Sequence, residues 1–172
     1  LQANHVYLVQ AKRQTRDVSL EIIGSDTRRI LKVDSPTLRA GPELLYFSPR
    51  VTAKYTVVVA PVERGLPSRT IDIEWRELSD AASGSNLARG LTSLTSAAAV
   101  ADAPQADDGQ RRLAILQSAS DDLRAARADA IEAETLLRIA STYFWTFSDW
   151  TRAAESAARA AELFDRASDP IM

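Results

Sequence analysis

The part of the chain that decides the helical half of the fold is residues 129–170, DAIEAETLLRIASTYFWTFSDWTRAAESAARAAELFDRASDP. Two runs with helical apolar spacing meet at Ser148-Asp149, a pair that suits a tight turn and a helix cap. Along the second run, small or apolar side chains recur at helical spacing, at Ala153, Ala157, Ala160 and Phe164. The pattern predicts a hairpin of two closely packed helices.

Two further helices are predicted upstream of this hairpin, at about 86–101 and 110–126. Capping residues precede both, Ser85 or Asn86 for the first and Asp107 or Asp108 for the second. Asp129 is predicted to cap the third helix, with Glu132 completing a capping-box-like pair. The fourth helix is predicted to start around Trp150, and its Arg159 is expected to face solvent.

The first half of the chain has the composition of β-strands. Six short segments rich in Val, Ile, Tyr and Thr lie at 5–13, 16–23, 28–33, 43–48, 53–60 and 70–78. Turn residues separate them, among them Gly41-Pro42 and Gly65-Leu66-Pro67. Apolar residues alternate with polar ones, most clearly at Ile71, Ile73 and Trp75, which are predicted to face a core. The segments predict an antiparallel, jelly-roll-like β-sandwich.

Composition narrows the function classes. The 172 residues carry a net charge of −2, which gives no electrostatic attraction to nucleic acid. There is no cysteine, and His5 is the one histidine, so thiol chemistry and a His-based hydrolase site are not expected. No apolar run is long enough to cross a bilayer. The predicted organisation is multidomain, β plus α: a sandwich over 1–79, a linker with one helix over 80–109, and helices over 110–172.

The helical part resembles tetratricopeptide repeats. The positions that match the packing pattern of that family are Leu137, Ala140-Ser141, Phe144, Ser148-Asp149-Trp150, Ala153, Ala157 and Ala160. Ala157 is smaller than the residue usual in the family. The resemblance implies a helical-repeat segment that binds a protein or peptide ligand in a concave groove.

The first half resembles a different family, the β-sandwich related to bacterial pre-peptidase C-terminal domains. The matching segments are LQANHVYLVQAKRQTRDVSLEI, VDSP at 33–36, GPELLYF and YTVVVAP. The two halves together resemble the N-terminal region of bacterial proteins that end in a caspase-like CHAT peptidase domain. This resemblance implies a fragment of an extracytoplasmic (periplasmic or secreted) protein, with catalytic residues beyond Met172. A cytoplasmic location stays open.

One face of the predicted third helix is the candidate partner-binding site. In the repeat register, the residues on its inner face are Thr135, Arg138, Thr142, Trp145 and Thr146. Arg and Trp are enriched at binding hot spots. The alternative is structural: Trp145 packs against Leu113, Leu116 and Leu123 of the preceding helix, and Arg138 pairs with Glu134 at i−4.

The function favoured by the sequence is therefore non-enzymatic protein–protein interaction and scaffolding, with no cofactor and no catalytic residue. Two alternatives stay open. In the first, the region only positions a downstream CHAT peptidase. In the second, the sandwich binds carbohydrate or a cell surface through Tyr7, Tyr46, Tyr55 and Trp75. Three acidic residues, Asp17, Asp34 and Glu43, are weighed as Ca²⁺ ligands, but their spacing follows no known loop and favours turns.

Overall fold

The protein combines two small antiparallel sheets with four α-helices, a mixed β plus α fold. The computed structural model describes residues 1–12, 17–34, 43–62, 71–80, 85–101 and 107–167. Contacts divide the chain into a strand unit, Leu1–Ala82, and a helical unit, Ser83–Met172. The turns predicted at Gly41-Pro42 and Gly65-Leu66-Pro67 lie outside the described residues.

All six predicted strands are present. They are β1 His5–Lys12, β2 Val18–Ile23, β3 Arg29–Val33, β4 Glu43–Phe47, β5 Thr56–Pro61 and β6 Asp72–Asp80. One sheet has the order β4-β1-β6 and the other the order β3-β2-β5, with antiparallel pairing throughout. β4 also contacts β2 and β3, so the two sheets meet at this strand. A jelly-roll arrangement of these strands stays a prediction.

The core of the strand unit follows the alternation of β2. Val18, Leu20 and Ile22 are buried, and Leu31 and Val33 on β3 are buried with them. β1 and β4 are buried on both faces, since consecutive residues along each of these strands are inaccessible. Such β-branched and aliphatic positions hold the sheets together by removing apolar surface from water.

β6 departs from the expected alternation. Ile73 and Trp75 were predicted to face a core, yet they are 49% and 62% exposed. They pair across the sheet with Ala11 and Val9, which are buried. Among the described strands β6 lies at the margin of its sheet, and the layer that covers β1 does not extend over it.

In the helical unit, α1 (Asn86–Ala101) and α2 (Asp108–Ala125) pack against each other. Ser85 caps α1 by accepting the amide of Ala88 at 3.2 Å. Gly90 allows the two helices to approach closely, because a Cβ there would lie 2.8 Å from Cγ of Leu123. The sequence placed α1 in a linker, whereas in the structure it belongs to the helical unit.

The predicted hairpin consists of α3 (Asp129–Thr142), a π-helical turn (Tyr143–Phe147) and α4 (Trp150–Arg166). Ser148 is left-handed, with φ of 52°, and Asp149 caps α4 by accepting the amide of Arg152 at 3.0 Å. The turn and the start of α4 are confirmed. α3 packs against both α2 and α4, so most of its circumference is buried. Repetition of the tetratricopeptide type stays a prediction.

Asp129 does not cap α3, contrary to the prediction. The helix begins at Asp129 itself, and the carbonyl of Ala128 accepts the amides of Ile131 and Glu132. Glu132 points inward instead of back to the cap. It is 1% exposed and accepts hydrogen bonds from Arg124 of α2 and Arg159 of α4, each at 3.0 Å. One carboxylate therefore joins three helices.

Among the described helices, none combines the length and the apolar character that a membrane span requires.

Candidate functional site

The structure separates the five residues of the predicted binding face. Thr135, Arg138 and Thr142 are buried, with exposures of 0%, 5% and 3%. Trp145 is 77% exposed, and Thr146 is exposed as well. Only the last two can meet a ligand without a rearrangement of the helices.

The buried three are satisfied within the helical unit. Thr135 and Thr142 donate their hydroxyl protons to carbonyls one turn earlier, each at 2.8 Å. Arg138 donates from Nε to Glu134 at 2.7 Å, which is the i−4 pair of the structural alternative. Polar residues are tolerated there because each of these groups has a hydrogen-bond partner. Trp145, in contrast, does not pack among Leu113, Leu116 and Leu123 as that alternative required.

The π-helical turn explains why Trp145 and Arg138 do not lie on the same face of the hairpin. Its wider i→i+5 bonding changes the angular position of every residue after Thr142 relative to a continuing α-helix. The amide of Asp149 then donates to the carbonyl of Tyr143 at 3.0 Å and closes the turn. As a result, Trp145 projects into solvent, whereas Thr146 lies against the start of α2.

Four aromatic residues at this turn, Phe144, Trp145, Phe147 and Trp150, form what we term the aromatic cluster. Trp145, Trp150 and Phe147 are 77%, 62% and 37% exposed. Phe144 contacts both tryptophans edge to face, with ring centroids 4.6 Å from Trp145 and 4.4 Å from Trp150. Edge-to-face contacts of this kind fix ring orientations. The cluster is thus an ordered apolar surface.

Residues next to the aromatic cluster hold the π-helical turn in place. Tyr143 accepts a hydrogen bond from Gln117 of α2 at 3.1 Å, and the guanidinium of Arg152 lies 5.7 Å from the centre of its ring. Gly109 at the start of α2 allows the turn to approach, since a Cβ there would lie 2.5 Å from Cγ2 of Thr146. These contacts attach the π-helical turn to α2.

Sequence reasoning found Trp145 but assigned Trp150 to the core. Trp150 is the first residue of α4, directly after its capping residue Asp149. A first-turn position lies at the end of the seam between two helices and is only partly covered by its neighbour. That position is the signal from which its exposure could have been predicted.

The histidine and the acidic residues that were considered as catalytic or metal-binding groups lie in the strand unit. His5 contacts Glu77 at 2.7 Å. Among the described residues no set of three or more histidines, cysteines or carboxylates is placed to hold a metal ion. Burial, and then the charge of Asp17, raise the pKa of Asp34, while Lys32 opposes the rise.

The four aromatic residues considered for carbohydrate binding do not form an exposed row. Trp75 is exposed, whereas Tyr7 and Tyr46 are buried and Tyr55 is half-buried. A flat sugar-binding platform needs several adjacent exposed rings, and Trp75 contributes one. The carbohydrate alternative therefore has little support from these residues.

No protein-family model, curated protein or solved structure matches this chain. The resemblances to tetratricopeptide, pre-peptidase and CHAT proteins accordingly stay predictions from sequence.

Proposed function

We propose that this chain is a non-catalytic protein–protein interaction and scaffolding segment of a larger bacterial, extracytoplasmic protein. It binds a protein or peptide ligand through the α3–α4 hairpin. The tetratricopeptide-type character of the helices and the jelly-roll-like character of the sandwich belong to this proposal. The observation that carries it is the aromatic cluster, with Trp145 77% and Trp150 62% exposed.

An ordered, exposed group of aromatic rings is unusual on a protein surface that meets only water. Tryptophan is the residue type most enriched at binding hot spots, because it removes a large apolar area from water with little loss of side-chain entropy. Phe144 already contacts both tryptophans, so a ligand would not have to order these three rings. These properties favour recognition of apolar side chains on a partner.

The proposed site differs from the groove expected from the sequence. Trp145 and Thr146 remain in it, and Phe147 and Trp150 join them. Thr135, Arg138 and Thr142 support the hairpin from inside. The ligand would therefore contact the end of the hairpin at the π-helical turn.

The test is selection of peptides from a displayed library on the wild-type protein, followed by affinity measurement against three proteins. We expect the selected peptides to lose about 10-fold or more in affinity for Trp145→Ala. Trp75→Ala is the control, since Trp75 is also an exposed tryptophan, at 62% against 77% for Trp145, but lies in the strand unit. Peptides that bind wild type and Trp145→Ala equally would contradict the proposal and favour the purely structural alternative.

A further inference from the structure

β6 presents apolar and charged side chains to solvent at the margin of its sheet. It pairs with β1, and within the described part of the chain no strand lies along its other edge. Residues 72–77 are all exposed, and they include Trp75 at 62% and Ile73 at 49%. An exposed edge strand with large apolar side chains offers both backbone hydrogen-bonding groups and apolar surface to a further strand. β6 is therefore a place where the sheet can be extended.

The pairing with β1 fixes which side chains of β6 share a face. The register runs without a break over residues 72–77, so side chains alternate regularly between the two faces of the sheet. Ile73 and Trp75 therefore lie on one face, and Glu74 and Arg76 lie on the other. The exposed edge thus has an apolar face and a face that carries one charge of each sign.

The sequence around Trp75 is self-complementary in an antiparallel pairing. When two copies of β6 pair with their Trp75 residues directly opposite each other, Glu74 of each copy lies opposite Arg76 of the other. Cross-strand pairs of opposite charge and of aromatic rings both stabilise antiparallel strands. Ile73 of each copy lies diagonal to Trp75 of the other, within reach of a large ring. The apolar and the charged face are therefore both matched in the same register.

The two neighbouring symmetric registers lack this match. A register centred on Glu74 would place two carboxylates directly opposite each other. A register centred on Arg76 would do the same with two guanidinium groups. Like charges in directly opposite positions destabilise a strand pair. Charge complementarity thus favours the register centred on Trp75, and it favours an identical strand as the occupant of this edge.

We propose that β6 is the interface of a homodimer, in which it pairs antiparallel with β6 of a second copy of this chain. The two β4-β1-β6 sheets then form one six-stranded sheet, with a two-fold axis between the Trp75 residues. A single strand gives a small interface, so we expect a Kd on the order of 10–100 μM. This inference is independent of the proposed function, because it concerns the strand unit and not the aromatic cluster.

Sedimentation equilibrium of the intact chain tests the dimer. Between about 5 and about 500 μM, wild type should show a monomer–dimer equilibrium. Glu74→Arg and Arg76→Glu each place like charges opposite each other at two positions, and each should weaken the dimer about 10-fold. The double variant, Glu74→Arg with Arg76→Glu, exchanges the charges and restores opposite pairs. Its Kd should return to within about 3-fold of wild type.

Arg50→Glu is the control for the charge change. Arg50 is exposed and lies outside β6, so this variant should keep the wild-type Kd. A monomer at every concentration would overturn the proposal. A dimer that the single exchanges leave intact, or that the double exchange does not restore, would overturn it as well. A dimer that is weakened by Trp145→Ala instead would place the contact at the aromatic cluster and contradict pairing through β6.

Cysteine crosslinking tests the position of the axis without altering a charge. The chain has no cysteine, so Trp75→Cys introduces a single thiol at the centre of the proposed pairing. Mild oxidation should give a disulfide-linked dimer, because the Cβ atoms of directly opposite residues lie about 5 Å apart.

Ile73→Cys is the matched control for crosslinking, since Ile73 is exposed on the same face of the same strand. Its two copies would lie about 13 Å apart along the strands, which is too far for a disulfide. We therefore expect little crosslinked dimer from this variant. Equal crosslinking of the two variants, or none in Trp75→Cys, would rule out the pairing centred on Trp75.

Discussion

The two units differ in how many charged side chains they bury. In the strand unit, Glu43 is the one buried carboxylate among the described residues, and it is the first residue of its strand. In the helical unit, α3 buries Glu132, Glu134 and Arg138 along its length. A β-strand presents a polar residue to one face at a time, whereas a helix packed on two sides has little circumference left for solvent. Polarity therefore identifies the solvent face of these strands better than that of α3.

The helical unit would not need a specific partner for each buried charge if its core accepted a charge at any position. Ala160 on α4 is fully buried, and a carboxylate at this position would lack the partner that Glu132 has. We expect Ala160→Glu to lower the free energy of unfolding by about 4 kcal/mol. The control is Ala161→Glu, one residue on and exposed, which should change it by about 0.5 kcal/mol or less. Chemical denaturation measures both, and similar values for the two variants would show that this face of α4 is not buried.

Removing Glu132, a charge that the helical core does bury, should have the next largest effect on the free energy of unfolding. Glu132→Ala would leave Arg124 and Arg159 without their shared carboxylate, and we expect a loss of about 3 kcal/mol. The estimate is at the lower end for buried pairs because both arginines are nearly half exposed, at 46% and 45%. Exposed Glu162 provides the control, since Glu162→Ala should cost about 0.5 kcal/mol or less. If the two glutamate variants denature at the same midpoint, Glu132 does not join the helices.

Arg159 belongs to the same group of charges as Glu132. The sequence predicted Arg159→Glu to be an inexpensive surface change, because Arg159 was expected to face solvent. The structure places its guanidinium 3.0 Å from Glu132, so the substitution would bring two carboxylates together. Arg159 does lie on the exposed side of α4, but its contact with Glu132 makes it unsuitable as a surface control, so Ala161 replaces it.

The smallest effect is expected in the strand unit, at Asp34. Burial and Asp17 raise its pKa in the folded state, so folding favours the protonated form. Stability falls as pH rises through the window between the unfolded and folded pKa values, and the penalty persists at neutral pH. Asp34→Asn should therefore raise the Tm slightly at about pH 7, and the gain should vanish at about pH 3. An Asp34→Asn variant that melts below wild type at neutral pH would contradict the assigned cause.

Much of the local structure could be predicted because its causes are local. All six strands, the Ser85 cap of α1, and the turn at Ser148 with its Asp149 cap follow from residues next to each other in the chain. The buried faces of the strands and helices were harder to predict, because they depend on which elements pack together. Ile73 and Trp75 alternate as core residues do, but their position at a sheet margin comes from strand order.

The candidate site was predicted in part for the same reason. Trp145 was identified from its residue type and register, and it is exposed. Thr135, Arg138 and Thr142 were assigned to the same surface because a regular helix was assumed through Thr146. The π-helical turn, and the packing of α2 on the other side of α3, depend on tertiary contacts that periodicity does not report.

The π-helical turn has a consequence for how the binding surface is encoded. Each residue of an α-helix advances about 100° around the axis, so the direction of a side chain depends on how many residues precede it in the turn. Deleting one residue between Tyr143 and Phe147 would rotate the aromatic side chains after it toward a different face, without changing any of them. The surface offered to a partner is thus set by a residue count as much as by residue identity. Insertions and deletions in this segment would alter recognition more than many substitutions would.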